Sequence, residues 1–167
     1  MPTYEQAPGQ RNLVFIHPKD GKFHVKSENK EYSTIEGTLE MIKVEADAGN
    51  PQKKILPYEA LIIHIGDNDN LYRIKIDVTR WFSLSLAPVL NGLKKGDMVR
   101  LTVREGSKDS KVTFCNAAVQ AADGSWIRPE NDPNVPDSKE DKVEYIKKVL
   151  ANHSARSTKV DVEDLDD

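Results

Sequence analysis

The chemistry open to this chain is carried by cations and rings set at strand spacing. In residues 71–78, Tyr72, Ile74, Ile76 and Val78 alternate with Arg73, Lys75 and Asp77. That pattern gives a strand one apolar face and one wet, basic face. Residues 58–65 form a second strand, joined to the first by the turn-forming run Gly66-Asp67-Asn68-Asp69-Asn70. With Leu61, Ile63 and Ile65 inward, Tyr58, Ala60, Ile62 and His64 fall on the outer face beside Arg73 and Lys75. A later strand repeats the device, with Val99, Leu101 and Val103 inward and Arg100, Thr102 and Arg104 outward. Lys53 and Lys54 lie in the loop before the hairpin, and Lys108 and Lys111 lie between the last two main strands. Trp81 and Trp126 stand where strands end or turn.

Rings beside cations suit a single-stranded nucleic acid, because every base has a π face and every phosphate needs countercharge. Such stacking contributes about 1–3 kcal/mol per base without selecting a sequence. The candidate binding set is therefore Lys53, Lys54, Tyr58, His64, Arg73, Lys75, Trp81, Arg100, Arg104, Lys108, Lys111 and Trp126. Each also has a plainer role. Outward arginines and lysines keep a sheet soluble. Phe82 reads as a core anchor, Trp81 is open between core and stacking, and Trp126 suits packing over a barrel end.

Other chemistry is missing. There is no Gly-rich phosphate loop and no G-x-S-x-G elbow, and no nucleophile–base pair presents itself. A non-catalytic chain without a cofactor is expected. His17 and His24 flank the first turn, His64 lies in a strand and His153 near the tail, and with Cys115 distant no zinc spacing results. Surface histidines and no metal site are expected. Asp67, Asp69 and Asn70 resemble a calcium loop, but Val78 occupies the position of the closing Glu, so a tight turn is expected. A single cysteine excludes an intramolecular disulfide and fits a reducing compartment. No apolar run reaches the roughly 20 residues of a membrane span, and residues 1–6 lack the features of a secretory signal. A cytoplasmic protein without a membrane partner is expected, in the host cytoplasm for a phage chain.

The formal net charge of -3 over 167 residues argues at first against a nucleic-acid binder. Its distribution reverses the argument. Of 27 acidic residues, five (Asp161, Glu163, Asp164, Asp166 and Asp167) fall in the last seven positions with no base. Residues 1–160 then carry 24 Lys and Arg against 22 acids, and residues 51–128 carry 12 against eight. The acidic end, with Val160, Val162 and Leu165 interleaved, can occupy the chain's own cationic groove, dock on a basic partner or simply solubilise.

These residues need a scaffold to hold them. Residues 1–11 read as a flexible arm, 12–128 as the main domain, 129–152 as a Pro-containing linker with a helix, and 153–167 as a disordered acidic tail. Apolar runs around Asp20-Gly21 predict an extra N-terminal hairpin. In residues 33–46 the apolar parity switches at Met41 and Ile42, which predicts a bulge or bend. Leu86, Val89, Leu90 and Leu93 predict a short helix over 83–93, with Ser85 as N-cap and Pro88 in its first turn. Val143, Ile146, Lys147 and Leu150 predict a C-terminal helix started by Ser138. A bent strand, a hairpin, a helix and a second hairpin is the order of a five-stranded OB-type Greek-key barrel, the short helix lying between strands three and four. A β-sandwich is the competing architecture. In the barrel, the loops holding Lys53-Lys54 and Lys108-Lys111 frame a groove.

Asp20-Gly21-Lys22-Phe23, Glu36-Gly37-Thr38-Leu39, the hairpin over 58–78, the helix with Leu86, Val89 and Leu90, and Trp126 followed by a Pro-containing segment and a helix carry a resemblance. Over roughly residues 12–152 the chain resembles small OB-fold single-stranded-DNA-binding-like proteins of bacteriophages and their bacterial hosts. The acidic end is similar to the tails of replication single-strand binders. It departs from the bacterial form, which closes with Pro and Phe, by closing Leu165-Asp166-Asp167. The resemblance implies low-specificity single-stranded DNA binding in replication, recombination or repair, with replication or recombination proteins as partners of the tail. The alternative is a protein-interaction β-barrel with an assembly role and no nucleic acid. RNA in place of DNA stays open, as does a homodimer formed by strand edges.

Overall fold

Asp20 and Gly21 both take positive φ, 53° and 75°, as a two-residue hairpin loop of the Asp-Gly kind requires. They join β1 (Asn12–Lys19) to β2 (Lys22–Val25), with His17 opposite His24. The computed structural model describes residues 11–106 and 112–155. Beyond the hairpin come β3 (Lys30–Tyr32), β4 (Thr34–Asp47), β5 (Tyr58–Gly66), β6 (Asn70–Asp77), α1 (Trp81–Leu86), β7 (Met98–Glu105), β8 (Thr113–Gln120), β9 (Trp126–Ile127) and α2 (Lys139–Ala151). The described residues are mainly β and form a curled open sheet of nine strands with two helices.

The strand order is β3-β2-β1-β6-β5-β4-β7-β8-β9. Strands β4 to β8 therefore lie 6-5-4-7-8, every ladder among them antiparallel. The far edge of β6 carries β1, in parallel, from Asn12 opposite Asn70 to Ile16 opposite Ile74. The N-terminal hairpin is thus part of the main sheet and not an appendage to it. Its tip reaches the other end of the curl, where Gly21 N–H donates to Thr113 Oγ1 at 2.9 Å. Gly21 has no room for a side chain there, since a Cβ would stand 2.8 Å from the Glu105 backbone nitrogen.

The parity switch in β4 is a bulge. Its register against β5 jumps between Leu39 and Met41, so Leu39 and Ile42 both enter the main core while Met41 faces the other side. Ile42 N–H donates to Ala155 O at 2.6 Å, which fixes the chain beyond α2 against the bent strand. Leu61, Ile63 and Ile65 of β5 and Ile74 of β6 fill the core as the alternation predicts. Phe82 is buried edge-on to Phe23, the ring centroids 6.1 Å apart.

The predicted helix over 83–93 is corrected at both ends. The α-helix begins at Trp81, Arg80 takes the N-cap position, and the chain tightens to a 3-10 turn over Ala87–Gly92. Pro88 has no N–H to continue an α ladder, which explains the change of pitch. Ser85 is not a cap. Its hydroxyl donates to Phe82 O and accepts from Cys115 N–H, pinning the helix to β8. Helix α2 starts where the sequence predicts, Ser138 Oγ accepting from Asp141 N–H, and it buries Ile146 and Leu150 in the same core.

Two histidines expected on the surface are buried. His153 Nδ1 accepts from Ala155 N–H, so its Nε2–H donates to Leu90 O at 3.1 Å. The other is His64. Among the described residues, no three His, Cys, Asp or Glu side chains group as metal ligands, and no helix is long and apolar enough to cross a membrane.

Candidate nucleic-acid interface

The β5–β6 register sets the basic face as the alternation predicts: His64 opposite Arg73, Ile62 opposite Lys75, Ala60 opposite Asp77. On the other side of β6, Phe15 of β1 stands opposite Arg73. The outer row therefore runs His64–Arg73–Phe15 across three strands. Phe15 is 52% exposed and Leu13 50%. Leu13, Phe15 and Arg73 form the floor of a groove of about 1440 Å³. One wall is the loop Lys54-Ile55-Leu56-Pro57 leading into Tyr58, and the other includes Arg80, Trp81 and Thr113.

Among the described residues cations dominate the lining: Lys19, Lys26, Lys54, Arg73, Lys75 and Arg80 face only Asp20 and Asp77. Lys75 is paired to Asp47 at 2.5 Å. The other five have no carboxylate within 4 Å among the described residues. His17 reports the resulting field. Burial lowers its pKa first, and the charges of Lys26, His24, Lys19 and Arg80 lower it further. Interleaved with these cations are exposed apolar surfaces, Phe15, Leu56 at 80% and Trp81 at 37%. A positively charged trough with accessible rings can hold a phosphodiester backbone and stack its bases.

Lys54 reaches the rim through an unusual backbone. Asn50 caps the turn Pro51–Lys53 by accepting from Gln52 and Lys53 N–H, and Lys54 closes it in the left-handed region at φ 60°, ψ 33°. Lys53 lies on the adjoining turn, exposed and outside the lining.

His64 is 9% exposed and does not line the groove. Arg73 Nη1 donates to His64 Nε2 at 3.0 Å, which leaves the ring proton on Nδ1, a buried atom without a partner among the described residues. Burial, then the Arg73 charge, pushes the His64 pKa down to about 4. Its ring is neutral near pH 7 and orients Arg73. Ala60 and Ile62, expected on a wet face, are fully buried with Met41 in a small second cluster against Tyr58. Ile62 sits between Lys43 of β4 and Lys75 of β6, whose ammonium groups pair with Glu45 and Asp47.

The remaining candidates lie elsewhere. Arg100 stacks over Trp126 at 4.2 Å and pairs with Glu36 at 2.7 Å. Arg104 lies 5.1 Å from the Phe114 ring. Both are on the outer face of β7–β8–β9. Lys108, Lys111, Asp161, Glu163, Asp164, Asp166 and Asp167 lie outside the described residues.

Sequence reasoning missed Leu13, Phe15, Lys19, Lys26, Leu56 and Arg80. The unbroken run Leu13-Val14-Phe15-Ile16 hides which face is wet, and only the parallel pairing with β6 turns Phe15 toward Arg73. The adjacency of Arg80 to Trp81 was a readable cation-and-ring signal. No protein-family model, no curated protein and no solved structure matches the chain.

Proposed function

We propose that the chain is a non-catalytic binder of single-stranded DNA with little sequence preference, holding the strand in the groove floored by Phe15 and Arg73. The observation that carries this reading is the lining itself: five cations without carboxylate partners among the described residues, interleaved with exposed Phe15, Leu56 and Trp81. Rings spaced among the charges suit unpaired bases, which stack on them while the cations meet the backbone. The strand order 6-5-4-7-8 and the helix between β6 and β7 support reading these five strands as an OB-type Greek key, its closing edge occupied by β1. The five acids among the last seven residues act in this reading as a polyanion that competes for the groove or recruits partners.

The deciding experiment is a fluorescence titration with labelled oligo-dT, on the full chain and on a chain lacking residues 161–167. Binding is expected at low salt, with log affinity falling linearly against log salt, and tighter binding is expected once the tail is removed. Absence of binding by both chains at low salt overturns the reading.

A further inference from the structure

A second set of rings and cations lies outside the groove. Trp81, at its rim, has Lys139 Nζ 5.0 Å from its ring centroid and Phe114 in tilted contact, the centroids 5.8 Å apart at 56°. Phe114 in turn carries Arg104. From there the outward residues of β7 and β8 run in register through Thr102 opposite Asn116 to Arg100 opposite Ala118, and the last pair, Gln120 opposite Trp126, reaches β9. Four residue steps separate Arg104 from Arg100, about 13 Å along the strand. Each end therefore holds one guanidinium stacked on one ring, and the first end is continuous with the groove through the Trp81–Phe114 contact. Glu36, bound to Arg100, is the group a phosphate would have to displace there. Arg100 can make that exchange because its guanidinium has donors beyond the single Nε contact.

We propose that the outer face of β7–β8–β9 is a second contact surface for the same nucleic-acid strand, a track that takes the strand up as it leaves the groove past Trp81. The proposal rests on the groove reading and extends it, and it makes binding depend on strand length. An oligonucleotide of about 4 residues, the lower end of the range for single-strand-binding domains, fills the groove alone. One of about 16 residues covers groove and track together.

The chain has two tryptophans, one at each surface, which allows the two to be read separately. In a Trp81→Phe chain Trp126 is the sole reporter, and the Phe ring keeps the stack on Phe114. The 16-residue oligo-dT is expected to quench Trp126 emission at saturation, and the 4-residue oligo-dT to leave it unchanged while binding by anisotropy of its own label. Binding of the long oligonucleotide without any change in Trp126 emission overturns the track. The double substitution Arg100→Gln and Arg104→Gln is expected to weaken the long oligonucleotide about tenfold and reduce its salt slope by about 1.4, at roughly 0.7 per single-strand phosphate contact. The short oligonucleotide should bind as before. Equal losses for both lengths overturn the track as well. Failure of the groove reading has a different signature, since then neither length binds the unsubstituted chain.

Discussion

Replacing Lys54 by glycine separates binding from stability at a single position. Lys54 closes the Pro51–Lys53 turn with φ 60°, ψ 33°, a conformation that costs an L-residue roughly 1–2 kcal/mol and glycine almost nothing. Glycine returns about 0.5–1 kcal/mol of that through the greater freedom of its unfolded chain. The lysine side chain adds no compensating ion pair, having no carboxylate partner within 4 Å among the described residues. Lys54→Gly is therefore expected to leave stability unchanged or raise it by up to about 1.5 kcal/mol, read from the urea midpoint. Its effect on binding has the opposite sign. Loss of one phosphate contact should weaken oligo-dT and lower the slope of log affinity against log salt by about 0.7. Paired titrations over a salt series measure both quantities on one sample. An unchanged salt slope in a folded variant would remove Lys54, and the wall it stands on, from the interface. A substitution that stabilises the fold while weakening the ligand also excludes unfolding as the cause of the loss.

Three further outcomes follow from the same geometry. Phe15→Ala removes a half-exposed ring beside Arg73, so oligo-dT affinity is expected to fall about 5- to 150-fold, the equivalent of 1–3 kcal/mol, and unchanged affinity by anisotropy would refute the stacking role. Joint substitution of Arg73 and Lys75 by glutamine should weaken all oligonucleotide sequences alike, and selective loss of one sequence in competition titrations would show base readout instead. His64, with its pKa lowered to about 4 in the fold against about 6.5 in the unfolded chain, makes the unfolded state the better proton binder between those values, so stability is full above about pH 6.5 and declines as pH falls toward 4, by at most about 3 kcal/mol. His64→Gln is expected to flatten that decline in urea unfolding between pH 6.5 and 4, and an identical decline in the variant would show that other groups cause it.

Local signals carried most of the strands. Asp20-Gly21 announces its hairpin because the loop needs two residues with positive φ, and the alternation in 71–78 and 99–103 reports burial directly because side chains alternate across a strand. The Met41–Ile42 parity switch is readable for the same reason, an inserted residue shifting every later side chain to the other face. Long-range pairing leaves no such trace. Nothing in Asn12–Lys19 specifies that β1 lies parallel to β6, and that pairing places Phe15 and Lys19 in the groove. Tertiary burial is equally hidden: Ile62 and His64 alternate like wet-face residues, yet both are enclosed.

Under the proposed function, the parallel β1–β6 ladder also completes the basic face. With β6 at the sheet edge, Arg73 and Lys75 would flank solvent on one side, and a strand of nucleic acid would find charge without a platform. With β1 in place, Leu13 and Phe15 extend the same outer surface by one strand. The hairpin turn behind them adds Lys19, and Lys26 follows on the β2 side, so one element supplies apolar surface and countercharge together. His64 contributes from beneath. As a neutral acceptor it holds Arg73 without competing for its charge, whereas a carboxylate in its place would neutralise the central cation of the row. The groove is thus a joint product of two hairpins distant in sequence. Disruption of the tip contact between Gly21 and Thr113, for instance by Gly21→Val, should therefore reduce binding through β1 even though neither residue carries charge.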